Sequence, residues 1–177
     1  SKVTQMHAAQ AAAAGCAVID LASGLPAEQA PRLVPEVNAQ VLATLNAPYL
    51  LTSPSAPAIA LAAVLAALPE SLVIQRLTVT ACLAVSSRGR EAVSELARQT
   101  AELLNGRALE PRLFDRQVAF NVLAQVEQPD SDGHAALERQ IAGEIRQLFG
   151  VPHLPVAITC IQAPVFFGDS LTVSLHA

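Results

Sequence analysis

The stretch Thr52-Ser53-Pro54-Ser55-Ala56-Pro57 runs straight into Ala58-Ile59-Ala60-Leu61-Ala62-Ala63-Val64-Leu65-Ala66-Ala67-Leu68. The second part is small and apolar, which predicts a helix buried on all sides. Pro57 has no backbone N–H and a fixed φ, so it suits the first helical turn and places Ser55 or Ala56 at the cap. Free backbone N–H groups and the positive end of the helix dipole converge there, a place for an anion, a nucleophile or a capping hydroxyl. A serine nucleophile also needs an adjacent base. The loop lacks the flanking glycines of GxSxG, so a Ser-His-carboxylate hydrolase is a minor alternative, one that predicts covalent labelling of Ser55 by fluorophosphonates. His7, His134, His153 and His176 fall in different elements, none with a second His or Cys at metal-ligand spacing, and no zinc site is expected. Cys82 and Cys160 lie inside apolar segments, where a thiol is inert packing.

Composition narrows the function classes. The 177 residues are 52% hydrophobic and 15% charged, which describes a globular, dry protein with one well-cored domain or two small ones. A net charge of -4 and 11 Lys plus Arg leave no basic footprint, so nucleic acid is not an expected partner. The apolar helix at 56–68 would be about 20 Å long, short of the ~30 Å hydrocarbon core, so no membrane span is expected. No basic start followed by an apolar run marks a secretory signal. Three isolated cysteines without a CxxC pair fit free thiols in a reducing cytoplasm.

The elements that position Ser55 can be read in order. Alanine-rich Lys2–Ala14 is a helix stopped by Gly15, and Cys16–Asp20 is a short apolar strand ending in a carboxylate. Leu21–Asn38 reads as a loop, with Ser23-Gly24 just past the strand's C-terminal edge, where open α/β sheets hold ligands. Ala39–Leu45 is a short helix, and Pro48–Leu51 a strand leading into the Ser55 loop. Beyond Pro69 the pattern changes to a long strand over Ile74–Val85 and a helix over Gly89–Leu104 that stops at Asn105-Gly106. Val118–Val126 is a further strand candidate. Asp132 caps a helix over His134–Phe149 with Leu137, Ile141, Ile145 and Leu148 inside, and Val156–Gln162 and Leu171–Leu175 are closing strands. Neither GxGxxG nor GxxxxGK[ST] occurs. Arg88, Arg90, Arg139 and Arg146 read as solvated charges.

Several segments, in this order, resemble the aspartate-β-semialdehyde dehydrogenases: Val34-Pro35-Glu36-Val37-Asn38, the Ser55 loop with its helix, Ala84-Val85-Ser86 through Gly89-Arg90, Gln117-Val118-Ala119-Phe120-Asn121, and Thr159-Cys160 through Pro164-Val165 and Gly168-Asp169-Ser170. The likeness is greatest to the Usg-type paralogues and covers nearly the whole chain. It implies an α/β fold: the C-terminal part of a Rossmann-type nucleotide-binding domain over 1–55, then an α+β catalytic and dimerisation domain over 56–177 with a mixed sheet covered by helices. Family members are longer at both ends, so a central fragment is expected.

The resemblance also implies chemistry: NADPH-linked reduction of β-aspartyl phosphate through a cysteine thioester, with a glutamine orienting the acyl group and a histidine moving the proton. Here the nucleophile position is Ser55, the orienting position Leu83 and the acid/base position Asp169. The arginine that grips the substrate carboxylate aligns with Gln162 and the substrate lysine with Gln140, while Glu138 matches a family glutamate. Of two cofactor-contacting serines, Ser23 remains and Ala22 replaces the other. An ordinary carboxylate is ionised at neutral pH and shuttles protons poorly there. Ser55 is expected to have no proton acceptor or guanidinium near it. Local reading assigns Ser55 to a cap, Asp169 to a turn that holds backbone N–H groups, and Gln162 to a polar pair within the sheet. The expectation is a non-catalytic, homodimeric scaffold that uses the second domain, with an active oxidoreductase on a different acyl phosphate or aldehyde as the alternative.

Overall fold

The computed structural model describes residues 2–69, 71–124 and 126–177. The chain forms two compact units, the first built from residues up to Arg76 with Gln140–Pro155 and His176–Ala177, the second from Leu77–Arg139 and Val156–Leu175.

In the first unit, alanine propensity builds α1 (Lys2–Ala13), and Gly15 follows it at φ 82°, a conformation that costs glycine nothing. Strands β1 (Val18–Asp20) and β2 (Leu50–Thr52) pair in parallel, with Val18 beside Leu50 and Asp20 beside Thr52. Ala8, Leu25 and Ala30 form a buried cluster against which Val18 and Leu50 pack. The expected loop over Leu21–Asn38 ends in a one-turn helix, α2 (Pro35–Asn38), and the expected helix over Ala39–Leu45 is a 3-10 helix over Ala39–Thr44. Buried Asn38 explains the turn: its Oδ1 accepts the Val34 N–H at 2.9 Å and its Nδ2 donates to the Arg32 carbonyl at 2.8 Å.

The helix after Ser55 is α3 (Ala56–Ala66). Its buried residues are Pro57, Ala58, Leu61, Ala62 and Leu65, whereas Val64 is 57% exposed. The expectation of burial on all sides is therefore corrected to a single buried stripe. Alanine has too little surface to force the opposite face inward, so an alanine-rich helix gives a weak signal of which side is covered.

In the second unit, β3 (Arg76–Leu83) pairs in parallel with β4 (Val156–Gln162), from Leu77 beside Val156 to Leu83 beside Gln162. Strand β5 (Ser170–His176) lies on the other side of β3. The Gln75 N–H donates to the His176 carbonyl at 2.8 Å, so the end of β5 meets the start of β3 and the sheet is mixed. Alternate residues of β3 and β4 are buried, Leu77, Val79, Ala81 and Leu83 on one strand and Ile158, Cys160 and Gln162 on the other. Helix α4 (Arg90–Leu104) contributes Ala92 and Leu96 to a core with Val85, Phe114, Val118, Ala119 and Leu123.

The strand expected over Val118–Val126 does not form among the described residues; Gln125 lies outside them. Its backbone donors are taken elsewhere: Oε1 of the fully buried Gln99 accepts the N–H groups of Val118 at 2.8 Å and Ala119 at 3.1 Å. Phe120 then turns the chain at φ 56°, and Leu123 alone bridges Gln162 in antiparallel fashion. The following helix, α5 (Ala136–Phe149), starts later than expected, and Asp132 does not cap it. Instead Asp130 Oδ1 accepts the N–H groups of Asp132 and His134, and Glu138 Oε2 reaches back to the Ala135 N–H at 3.0 Å, the carboxylate half of a capping box. No helix among the described residues is long and apolar enough to cross a membrane.

Asp20 closes β1 with a carboxylate only 2% exposed. It accepts the N–H groups of Ala22 at 3.0 Å and Leu25 at 2.9 Å, that of Gly24, and the Thr4 hydroxyl at 3.2 Å. Burial pushes such a carboxyl up, but these donors outweigh it and hold Asp20 below its ordinary value near 3.8. The stability it contributes is therefore complete above about pH 5 and drains away as the pH falls through the folded-state value. Urea unfolding between pH 7 and pH 3 should show Asp20→Asn weaker by about 1–3 kcal/mol at pH 7, with the gap to the parent closing toward pH 3. A gap that does not change with pH would refute this account.

Candidate functional site

Ser55 precedes α3 with extended backbone, φ -62° and ψ 150°, and its hydroxyl makes no hydrogen bond to the helix. Both its donors go to one oxygen of Glu144: the hydroxyl donates to Oε2 at 2.6 Å and the backbone N–H to the same atom at 3.0 Å. Glu144 is 1% exposed. Its other oxygen accepts from Arg32 Nε at 3.2 Å and from Gln140 Nε2 at 2.9 Å, while Arg32 Nη1 donates onward to Gln147 Oε1 at 2.7 Å. Two expectations are corrected here. Ser55 is not a side-chain cap, and a proton acceptor does stand beside it, with a guanidinium on the far oxygen of the same carboxylate.

Glu144 was within reach of sequence reasoning. It lies three residues after Ile141 and four before Leu148, on the stripe that α5 turns inward. A carboxylate on an apolar stripe must find charge or hydrogen-bond partners, because burying it alone is prohibitive. Its spacing announced the demand, and nothing local named the partners.

Ser23 adopts φ 48° and donates its hydroxyl to the Ser53 carbonyl at 2.9 Å. The loop's other donors, the N–H groups of Ala22, Gly24 and Leu25, are held by Asp20. These N–H groups are therefore satisfied within the loop and strand edge themselves.

The remaining nominated residues belong to the second unit. Leu83 and Gln162 face each other in register, and Gln162, 1% exposed, donates Nε2 to the Leu83 carbonyl at 2.7 Å. Its Oε1 has no donor among the described residues. One residue on, the Ala84 N–H donates to Asp169 Oδ1 at 2.8 Å, so Gln162 and Asp169 grip consecutive backbone groups at the end of β3. Glu138 accepts the Cys160 N–H through Oε1 at 2.8 Å and the Ala135 N–H through Oε2. Burial first, then the Glu138 charge, pushes the Cys160 thiol up to about 12, so it stays protonated and unreactive.

Within the first unit, then, Ser55 and Gln140 converge on Glu144 and Ser23 reaches Ser53. Within the second, Leu83, Gln162 and Asp169 gather at one strand end and Glu138 joins α5 to β4. Of the arginines read as solvated charges, Arg139 and Arg88 are exposed and also carry partners, Asp130 and Asp132 for the first and the Val126 carbonyl for the second, while half-buried Arg146 donates to the Leu154 carbonyl. Among the described residues no three His, Cys, Asp or Glu side chains cluster to hold a metal ion.

Removing Glu144 strands the Arg32 charge and three further donors. Glu144→Ala should cost about 3–5 kcal/mol, and Ser55→Ala about 1.5–3. A double-mutant cycle of the two in urea should return a coupling above about 1 kcal/mol; strict additivity would mean the 2.6 Å contact contributes nothing to folding.

Residues 65–177 match the family described as semialdehyde dehydrogenase, dimerisation domain. The chain is 57% identical over 176 residues to the USG-1 protein homolog of Pseudomonas aeruginosa, a match that takes in 99% of this chain and 52% of that protein. A solved structure described as a probable aspartate-semialdehyde dehydrogenase from Pseudomonas aeruginosa superposes with a TM-score of 0.95 at 57% identity, covering 98% of this chain and 52% of that one. The aspartate-semialdehyde dehydrogenase of a Shewanella species is 33% identical over 175 residues, 98% of this chain and 52% of the enzyme. The chain thus spans about half the length of the curated relatives it matches. The order of segments that suggested the resemblance, the match over 65–177 and the shared backbone path agree, and the chain belongs to the semialdehyde dehydrogenase family.

Proposed function

We propose that the protein carrying this chain is a non-catalytic member of its family that retains the second domain as a homodimerising scaffold. The observation that carries this reading is Gln162. Where the resemblance puts a guanidinium to grip a substrate carboxylate, this chain has a neutral amide, 1% exposed, that donates through Nε2 to the Leu83 carbonyl. The other positions agree. Leu83 has no polar atom to orient an acyl group, Asp169 holds the Ala84 N–H, and Ser55 replaces a thiolate with a hydroxyl that ionises far less readily. A family reaction run on these residues would lack nucleophile, orienter and anion grip together.

One observation favours a second reading, an active oxidoreductase on a different acyl phosphate or aldehyde. The Ser55 hydroxyl donates to a carboxylate at 2.6 Å, and a hydroxyl nucleophile requires such a proton acceptor.

In an assay of the complete protein, phosphate-dependent, NADP-linked oxidation of aspartate semialdehyde should not exceed the rate without enzyme, and sedimentation at micromolar concentration should return a dimer. Turnover at ordinary enzyme rates would refute the non-catalytic reading, and a monomer would refute the scaffold. For the second reading, Ser55→Ala is decisive: any turnover found must fall at least about a hundredfold, and an unchanged rate removes Ser55 from the chemistry.

A further inference from the structure

The second unit contains a cavity of about 250 Å³ whose walls include Arg88, Leu113, Phe114 and Leu123. That is the liquid volume of roughly eight water molecules, enough for a ligand of about that many heavy atoms. Four charged side chains reach it, and three of them are already committed. Arg116 is held in a two-point pair by Asp115, with Nε on Oδ1 at 2.9 Å and Nη2 on Oδ2 at 2.6 Å. Glu127 accepts the Leu137 N–H at 3.2 Å, at the start of α5.

Arg88 is different. It donates Nη2 to the Val126 carbonyl at 2.6 Å, and its guanidinium carbon lies 5.3 Å from the centre of the Phe114 ring. Exposed at the cavity's edge, it makes no ion pair among the described residues, although Asp115 feels its charge, and the rest of its five N–H donors have no protein acceptor there. The carbonyl and the ring fix the plane of the guanidinium beforehand, which lowers the entropy lost when a two-oxygen anion docks.

We propose that this cavity binds a small organic monocarboxylate, its head taken by the free fork of Arg88 and its short apolar body lying against Leu113, Phe114 and Leu123. A single negative charge is favoured over a dianion because the Glu127 carboxylate, with no cation partner among the described residues, lines the same space and repels a second one. Gln162 also lines the cavity, so Arg88 brings there a guanidinium that position 162 does not supply. The site does not depend on whether the protein turns over a substrate.

The test is a 1H–15N NMR titration of the full chain with sodium butyrate and, separately, with inorganic phosphate. Butyrate should give saturable shifts at the amides of residues 113–116 and 123–128, with phosphate weaker by about tenfold or more. Arg88→Gln should weaken butyrate binding by at least about tenfold. Leu113→Glu changes a residue that is 45% exposed, so the fold should tolerate it, and it should abolish binding by adding like charge at the mouth. Absence of saturable shifts, phosphate binding as tightly as butyrate, or butyrate binding unaltered by both substitutions would each overturn the proposal. An absence of turnover in the same preparation has no bearing on it.

Discussion

A carboxylate taken out of water must be surrounded by donors, and Glu144 is the charge on which the first unit closes. Leaving a buried ion unpaired costs several kcal/mol, a sizeable share of the stability of a small domain. Glu144 meets that demand with four donors from Ser55, Arg32 and Gln140, drawn from segments 89 and 112 residues away in sequence as well as from its own helix. The Ser55 loop, the entrance to α3 and the segment at Arg32 are thereby fixed relative to α5 by electrostatics as well as by packing. Two of the donors come from the residue at the helix entrance, so the geometry of the candidate site and the stability of the unit depend on the same contact.

The second unit uses neutral amides and carboxylates in the same way. Gln99 diverts the backbone of Val118 and Ala119 from strand pairing, and Glu95 anchors the Arg112 N–H at 3.0 Å while pairing with Arg98. Gln162 and Asp169 secure neighbouring backbone groups at the end of β3, and Glu138 joins the start of α5 to β4. The polar side chains that the family resemblance nominates for chemistry are therefore hydrogen-bonded within the fold. A donor already committed to the backbone must give up that bond before serving a ligand, and the exchange gains little, although Gln162 Oε1 has no donor among the described residues.

Arg88 contrasts with these residues. Among the described residues it donates one hydrogen bond and lies against one aromatic ring, and Asp115 feels its charge without an ion pair forming. Arg116 and Arg139 are paired with acids, whereas Arg88 makes no ion pair among the described residues.

Much of this was legible in the sequence because it is encoded within a few residues. Alternation located β3, helical spacing located α4 and α5, and glycine at 15 and 106 marked helix ends, each at positive φ. The ordered motifs named the family. Local pattern misled where a partner was remote: the segment Val118–Val126 read as a strand, but a glutamine on α4 took the N–H groups of Val118 and Ala119, and alanine spacing in α3 did not say which face would stay in water. The partners of Glu144 were invisible for the same reason. A sequence states how many hydrogen bonds a buried group requires, and only the folded chain brings together the residues that supply them, because that choice depends on distances the local backbone does not set.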